Sequence, residues 1–213
     1  MQTQEAIADM DERPATASNW LVIIGCGPGG PQALGDVLPS IPSTFPATIV
    51  VMPDYRMGFH RVLADQLNLT CQMPVHEAVD GMKLTPSRAM IAHSSARITF
   101  VPMEGFALPV YQVFVEDSAG PSTTPYSRVD HTMISATHAF GDKTVGVLLT
   151  GMGRDGVEGL RAIKDAGGVT IAQDEQTSVV SDLPLAAAET GVVQHVVPLW
   201  NVAARIKDAV LGG

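Results

Sequence analysis

The chain is poor in cysteine, in basic residues and in long apolar runs, and each shortage excludes a class of protein. Two cysteines in 213 residues are too few for a disulfide-stabilised scaffold, so Cys26 and Cys71 are expected to be reduced thiols. Lys and Arg number 13 against 22 Asp and Glu, and the formal net charge of -9 disfavours a nucleic-acid or anionic-membrane surface. No apolar run reaches the roughly eighteen residues of a membrane-spanning helix. The sequence therefore predicts no nucleic-acid partner and no membrane insertion.

What remains is the composition of a globular domain. Hydrophobic residues make up 46% of the chain and charged residues 16%, enough to fill one core and to cover it thinly. Residues 1–18 are polar and acidic with no apolar period, so they are predicted to form a flexible arm ahead of a single domain at 19–213. The same start lacks the basic and apolar regions of a signal peptide, which leads us to expect a cytoplasmic location.

Short β-branched runs alternate with amphipathic stretches through most of this domain. Strands are predicted at 20–24, 47–52, 74–79, 89–92, 97–101, 110–115, 144–149, 168–172 and 192–197, and helices at 31–38, 58–69, 130–140, 156–166, 183–189 and 200–211. Strands separated by helices pair in parallel, so the expected fold class is α/β, a doubly wound, mainly parallel sheet with helices on both faces. The helix-poor segment at 74–117 predicts antiparallel edge strands or hairpins.

A glycine-rich turn, Gly25-Cys26-Gly27-Pro28-Gly29-Gly30, joins the first predicted strand to the first predicted helix. Gly25, Gly27 and Gly30 satisfy the G-x-G-x-x-G pattern of dinucleotide-binding turns, and Asp54 follows the second strand, where such folds place an acid for the ribose hydroxyls. Pro28 removes one backbone donor from the turn, and glycines serve equally to make a tight strand-to-helix connection. A dinucleotide site at this turn stays an alternative, and no bound cofactor is expected.

Two further runs follow later strands. Thr150-Gly151-Met152-Gly153-Arg154-Asp155-Gly156 comes after one buried strand and Ala172-Gln173-Asp174-Glu175 ends the next. Together with Ile24-Gly25, Gly29-Gly30-Pro31, Met52-Pro53, the run Glu77-Ala78-Val79-Asp80-Gly81 and Val129-Asp130, they resemble in content and order the catalytic domain of the CheB family of chemotaxis protein-glutamate methylesterases. The resemblance covers roughly residues 20–207.

The resemblance assigns roles to positions in this chain. The family's nucleophilic serine corresponds to Gly27, its histidine base to Val51, its acid to Asp155, and Met152 is placed in the same cleft. Acyl transfer from a methyl glutamate needs an oxygen or sulfur nucleophile beside a base, and neither glycine nor valine provides one. What is implied is a hydrolase fold in which only the acid of the triad is retained. Asp155 has a second interpretation as a helix cap.

Neighbouring side chains offer substitutes for the missing groups. Cys26 is adjacent to the nucleophile position, but side chains alternate along a strand, so it is predicted to be a buried structural thiol, with a displaced nucleophile as the alternative. His60 is expected at the solvent edge of a helix and would reach the cleft only if the loop at 54–57 folded back. His131, Ser135 and His138 share one helical face by spacing, yet no third ligand can be named, so no metal is expected.

Other departures from the family concern recognition. The family's basic stretch ahead of its Val-Asp helix looks here like Thr123-Thr124-Pro125-Tyr126-Ser127-Arg128, and the position of a family histidine holds Arg97. These departures, with the substituted triad positions, lead us to expect a bacterial, stand-alone CheB-like domain that is catalytically inactive and acts as a binding or regulatory module. Only about twenty residues lie ahead of the first strand, so no receiver domain is expected. The expected partner is a chemoreceptor or another chemosensory signalling protein docking at the cleft and its rim at 54–59. The alternatives are a methylesterase that uses a rearranged nucleophile such as Cys26, and the dinucleotide-binding protein.

Overall fold

A seven-stranded parallel sheet forms the centre of the molecule. The computed structural model describes residues 20–54, 58–106, 109–117 and 127–212, so the arm at 1–18 and the rim residues 55–57 lie outside the described part. The strands are β1 Trp20–Cys26, β2 Ala47–Pro53, β3 Val75–Glu77, β4 Arg88–Ile91, β5 Ala96–Met103, β6 Val110–Asp117, β7 Thr144–Leu148, β8 Val169–Gln173 and β9 His195–Val197. The sheet order is β3-β4-β2-β1-β7-β8-β9, and every neighbouring pair is parallel.

Helices cover both faces of the sheet, as the alternation of strands and helices predicts. Their bounds are α1 Gly30–Val37, α2 Phe59–Asn68, α3 Arg128–Phe140, α4 Val157–Asp165, α5 Asp182–Glu189 and α6 Leu199–Leu211. Leu34, Leu63 and Ile206 place α1, α2 and α6 over one face, whereas Met133 and Leu160 place α3 and α4 over the other, together with α5. The doubly wound α/β fold class is confirmed.

The antiparallel strands lie apart from the main sheet. Residues 74–117 were expected to form antiparallel edge strands or hairpins. The antiparallel hairpin is present, since β5 pairs with β6, but it forms a separate two-stranded sheet, and β3 and β4 join the main sheet in parallel. Polar side chains of α3 attach this hairpin to the domain. The hydroxyls of Thr132 and Ser135 accept hydrogen bonds from the N–H groups of Ile98 and Phe100 at 3.1 and 2.9 Å. This attachment explains why α3 carries polar residues on a buried face.

The topology identifies one edge of the sheet as the place for a site. The chain leaves β1 toward β2 on one side and leaves β7 toward β8 on the other, so the loops after β1 and β7 diverge at adjacent strands. Ligands of open α/β sheets bind in the crevice that such diverging loops form at the carboxyl ends of the strands. None of the helices in the described part of the chain is long and apolar enough to cross a membrane.

Candidate functional site

Backbone contacts fill the crevice between the loops after β1 and β7. Gly27 donates its N–H to the carbonyl oxygen of Thr150 at 2.9 Å. A Cβ built on Gly27 would lie 3.1 Å from Gly151 Cα and 3.4 Å from Met152 N, closer than most side-chain contacts in proteins. A side chain at position 27 would therefore require the loop at 151–152 to move by a few tenths of an ångström. The position that the family resemblance assigns to the nucleophile is thus occupied by tightly packed backbone.

The positions assigned to the base and to a displaced nucleophile are buried on one face of the sheet. Val51 is fully buried among the side chains that contact α1, α2 and α6. Cys26 belongs to the same cluster and is 2% exposed, as the alternation of side chains along β1 dictates. Both side chains therefore pack into the interior.

Asp155 is bound by donors at the start of a helix that is not its own. It directly precedes the Gly156 that opens α4, but its Oδ1 accepts hydrogen bonds from the N–H groups of Val129 and Asp130 in the first turn of α3, at 2.9 and 3.0 Å. The hydroxyl of Ser127 lies 2.5 Å from the same oxygen. In the described part of the chain no imidazole or thiol hydrogen-bonds Asp155, so the geometry is that of a helix cap.

Asp130 performs the matching task for α4. Its Oδ1 accepts hydrogen bonds from the N–H groups of Gly156 and Gly159, both at 2.8 Å, and its Oδ2 is 2.9 Å from the Ser127 hydroxyl. The residue is 6% exposed, and burial raises the pKa of its carboxyl group despite the donors around it. Each of the two aspartates therefore satisfies the first turn of the other's helix, and Ser127 bridges them.

The second family-like run is held by a similar network. The Gln173 side chain accepts a hydrogen bond from Thr150 N at 2.8 Å and donates to the carbonyl oxygen of Thr177 at 2.8 Å. Asp174 accepts from both the N–H and the hydroxyl of Thr177, at 3.0 and 2.6 Å. The Thr150 hydroxyl accepts from Val180 N at 3.0 Å and lies 2.8 Å from the carbonyl oxygen of Pro28. These polar side chains fix the loops around the crevice, and their hydrogen-bonding groups are already in use.

Two of the three histidines singled out by the sequence, His60 and His131, have side-chain partners in the described structure, and His138 is exposed near the end of α3. The His60 side chain is only 16% exposed, so it does not lie at the solvent edge as expected. Its Nε2 lies 2.8 Å from Glu77 Oε1, and this contact links α2 to β3. His131 Nε2 lies 3.0 Å from the Thr99 hydroxyl on β5, and burial, with Arg97 nearby, lowers its pKa. Nowhere in the described ranges do three His, Cys, Asp or Glu side chains converge as metal ligands.

The glycine turn has few donors left for a pyrophosphate. Gly27 N–H is bound to Thr150, Gly30 N–H donates to the carbonyl oxygen of Gly27 at 2.9 Å, and Pro28 has no N–H. Asp54, the residue considered for the ribose, is exposed and lies 3.4 Å from an Arg128 guanidinium nitrogen. A dinucleotide at this turn would have to displace internal hydrogen bonds.

Exposed apolar side chains lie on two loops beside the crevice. Met152 is 60% exposed in the loop after β7, and Val179 is 66% exposed in the loop after β8. A Cβ on Gly29 would lie 2.7 Å from Val179 Cβ, and Gly29 has a φ of 87°, so this position is suited to glycine. No signal in the sequence indicated Val179, because its position beside Gly29 depends on the fold and the two residues are far apart in the chain. Both side chains are available to a partner.

Proteins of one kind are similar to this chain in sequence. The chain is 43% identical over 187 residues to a protein of Carboxydothermus hydrogenoformans named protein-glutamate methylesterase/protein-glutamine glutaminase 1, covering 87% of this chain and 54% of that protein. It is 32% identical to the corresponding protein of Thermotoga maritima, covering 93% of this chain and 56% of that protein. The chain thus spans about half the length of the curated relatives it matches.

The fold and the family agree. The crystal structure of the Thermotoga maritima CheB methylesterase catalytic domain superposes with a TM-score of 0.80 at 33% identity, covering 89% of this chain and 97% of that one. The family model described as CheB methylesterase matches residues 22–206. This chain therefore belongs to the CheB methylesterase family.

Proposed function

We propose that this domain has lost ester hydrolysis and acts as a binding or regulatory module in a bacterial chemosensory system. The observation that carries the proposal is the packing at the nucleophile position, where Gly27 lies against the backbone of Gly151. Val51, at the base position, is part of the core. Nucleophilic catalysis requires an activated oxygen or sulfur at such a site, and neither residue can provide it.

The retained family-like residues support the same proposal. Asp155, Gln173 and Asp174 each accept hydrogen bonds from neighbouring backbone groups. Helix capping and loop shaping account for these side chains without any substrate, because an Asp cap stabilises a helix by about 0.5–2 kcal/mol. Selection for a stable fold is therefore sufficient to keep them.

The test is methanol release from a methylated chemoreceptor cytoplasmic domain. Loss of triad members lowers kcat by about 10⁴- to 10⁶-fold, so we expect no turnover above background, with the Thermotoga maritima catalytic domain as the positive control. Turnover by the unmodified chain would contradict the proposal. If that turnover disappeared in Cys26→Ala, the displaced-nucleophile alternative would be supported instead.

A restored variant separates missing groups from a closed cleft. Gly27→Ser combined with Val51→His returns the residues that the family uses, at the cost of a small shift in the loop at 151–152. Methanol release by this double variant, and not by Gly27→Ala with Val51→His, would show that the edge still admits the ester. A stably folded double variant without activity would show that the crevice itself has closed.

The proposed partner is a chemoreceptor or another chemosensory signalling protein. The exposed Met152 and Val179 flank the glycine turn and give the edge an apolar contact surface. We expect Met152→Asp and Val179→Asp to weaken capture of a purified receptor cytoplasmic domain. Leu69→Asp is the matched control, because Leu69 is 85% exposed just after the end of α2. Equal weakening by all three variants would contradict docking at this edge.

A further inference from the structure

A groove of about 480 Å³ lies beside the glycine turn. Helix α1 forms one wall, and the loop after β8 together with the start of α6 forms the other. The lining includes Gly29, Gly35, Asp36, Thr177, Val179 and Leu199. Its volume is within the range of about 300–1,000 Å³ that is typical of ligand pockets. Because Gly29 is two residues from Gly27, the groove is continuous with the edge at the proposed docking site.

Gly35 is an unexplained glycine inside a helix. It is exposed in the second half of α1, where glycine costs about 0.5–1 kcal/mol relative to alanine. Within the described structure, a Cβ built on it would meet no atom within 4 Å, so no neighbour in the fold requires its absence. A helix glycine that the fold does not need, facing a groove, allows the backbone of an external segment to approach closely.

The charged groups at the groove are carboxylates, which favour a cationic ligand. Asp36 is the one charged side chain among the described lining residues, and the wall loop carries Asp174 and the exposed Glu175. The ammonium group of Lys207 on α6 donates to the carbonyl oxygen of Ser40, three residues past the end of α1. In a chain of net charge -9, the three carboxylates of Asp36, Asp174 and Glu175 give the groove a negative potential that favours a cation.

We propose that the groove binds a Lys- or Arg-bearing segment of the signalling protein that the domain recognises. The cationic side chain lies against Asp36, the segment's backbone passes Gly35, and an apolar neighbour contacts Val179 and Leu199. This inference rests on the proposed binding role and deepens it, since it gives the charge and the chemical class of the partner segment.

The probe is the tripeptide acetyl-Leu-Arg-Leu-amide, titrated into the full chain and followed by the amide NMR shifts of Gly29, Gly35 and Thr177. We expect saturable shifts that weaken with added salt, because partly exposed ion pairs are screened. The peptide acetyl-Leu-Glu-Leu-amide should bind at least about tenfold more weakly, since it places a carboxylate against Asp36.

Two variants test the site within the protein. Gly35→Gln fills the groove with a residue that favours helix, so it should fold at least as stably as the parent while affinity for the Arg peptide falls about tenfold or more. Asp36→Lys should have the same effect on affinity, whereas Asp65→Lys, the same charge change at an exposed site on α2, should have little.

Absence of saturable shifts at the groove, equal binding of both peptides, or unchanged binding by Gly35→Gln would each overturn the inference. None of these results would refute the binding role itself, because receptor capture through Met152 and Val179 is measured separately. If the parent chain did not capture the receptor domain but still bound the Arg peptide, the binding role would be refuted and the groove would remain a cation-binding site.

Discussion

The exchange of aspartates between α3 and α4 leads to a prediction about Asp155, the residue to which the family resemblance assigns the role of acid. Asp155→Ala removes the acceptor for the N–H groups of Val129 and Asp130 and for the Ser127 hydroxyl. If Asp155 acts as a cap, this substitution lowers the free energy of unfolding. If Asp155 only oriented a catalytic base, the substitution would leave stability nearly unchanged.

The magnitude can be worked from these contacts. Loss of an Asp cap costs about 0.5–2 kcal/mol, and a hydrogen bond to a charged group contributes about 1.5–3 kcal/mol. Asp155 is only half-buried, so water replaces part of what is lost. We therefore expect a loss of about 2–3 kcal/mol, which for a domain of this size lowers Tm by about 4–12 °C.

The assay is urea unfolding followed by circular dichroism, with unchanged m-values as the criterion for comparing stabilities. Asp155→Asn keeps an acceptor oxygen and should lose only about 0.5–1 kcal/mol, because the missing contribution is that of charge at a helix start. Asp65→Ala, at an exposed site on α2, should stay within about 0.5 kcal/mol of the parent. An Asp155→Ala protein as stable as the Asp65→Ala control would refute the capping argument.

Two further predictions concern α1, α3 and α4. Gly159→Ala should destabilise the protein by about 1–3 kcal/mol, because its Cβ would lie 2.6 Å from Met133 Cβ where α3 and α4 cross. Gly35→Ala should instead stabilise the protein by about 0.5–1 kcal/mol, because its Cβ meets no neighbour and alanine favours helix. Thermal unfolding of both variants measures the two changes, and changes of the same sign would contradict the prediction. Burial raises the folded-state pKa of Asp130, so its contribution to stability is complete below the unfolded pKa of about 3.9 and is lost as pH rises through the folded value. Stability measured from about pH 4 to about pH 7 should therefore fall less steeply with rising pH in Asp130→Asn than in the parent, and identical slopes would contradict the assignment.

Local patterns predicted the main sheet because its strands are buried on both faces. The run at 47–53 is apolar except for Thr48 and is flanked by turn residues, which distinguishes it from an amphipathic helix. The place of β3 and β4 was not predictable in this way. The loop joining them pairs with β6, where Gly81 N–H donates to the carbonyl oxygen of Val113, and no local spacing reports a contact between such distant residues.

In the candidate site, too, local patterns predicted positions along the chain but not contacts between distant residues. The order of the motifs assigned site roles to Gly27, Val51 and Asp155, but the partners of Asp155 lie more than twenty residues earlier in the chain. One signal was available, since Ser127 and Asp130 have the Ser-x-x-Asp spacing of a capping box before a helix. In the structure the Ser127 hydroxyl contacts the two carboxylates instead of capping the backbone of α3. The Ser-x-x-Asp spacing indicated the start of α3, but it could not indicate that Asp155, from a distant part of the chain, contacts the same serine.

The two interlocked carboxylates have a consequence for interpreting related sequences. Asp155 satisfies the first turn of a neighbouring helix, so selection for folding favours it whether or not the site performs chemistry. Its presence at this position is therefore weak evidence of activity in any domain that also has the Ser-x-x-Asp spacing ahead of α3. Positions 27 and 51, where acyl transfer needs a nucleophile and a base, are therefore the more direct indicators of hydrolase activity in related sequences.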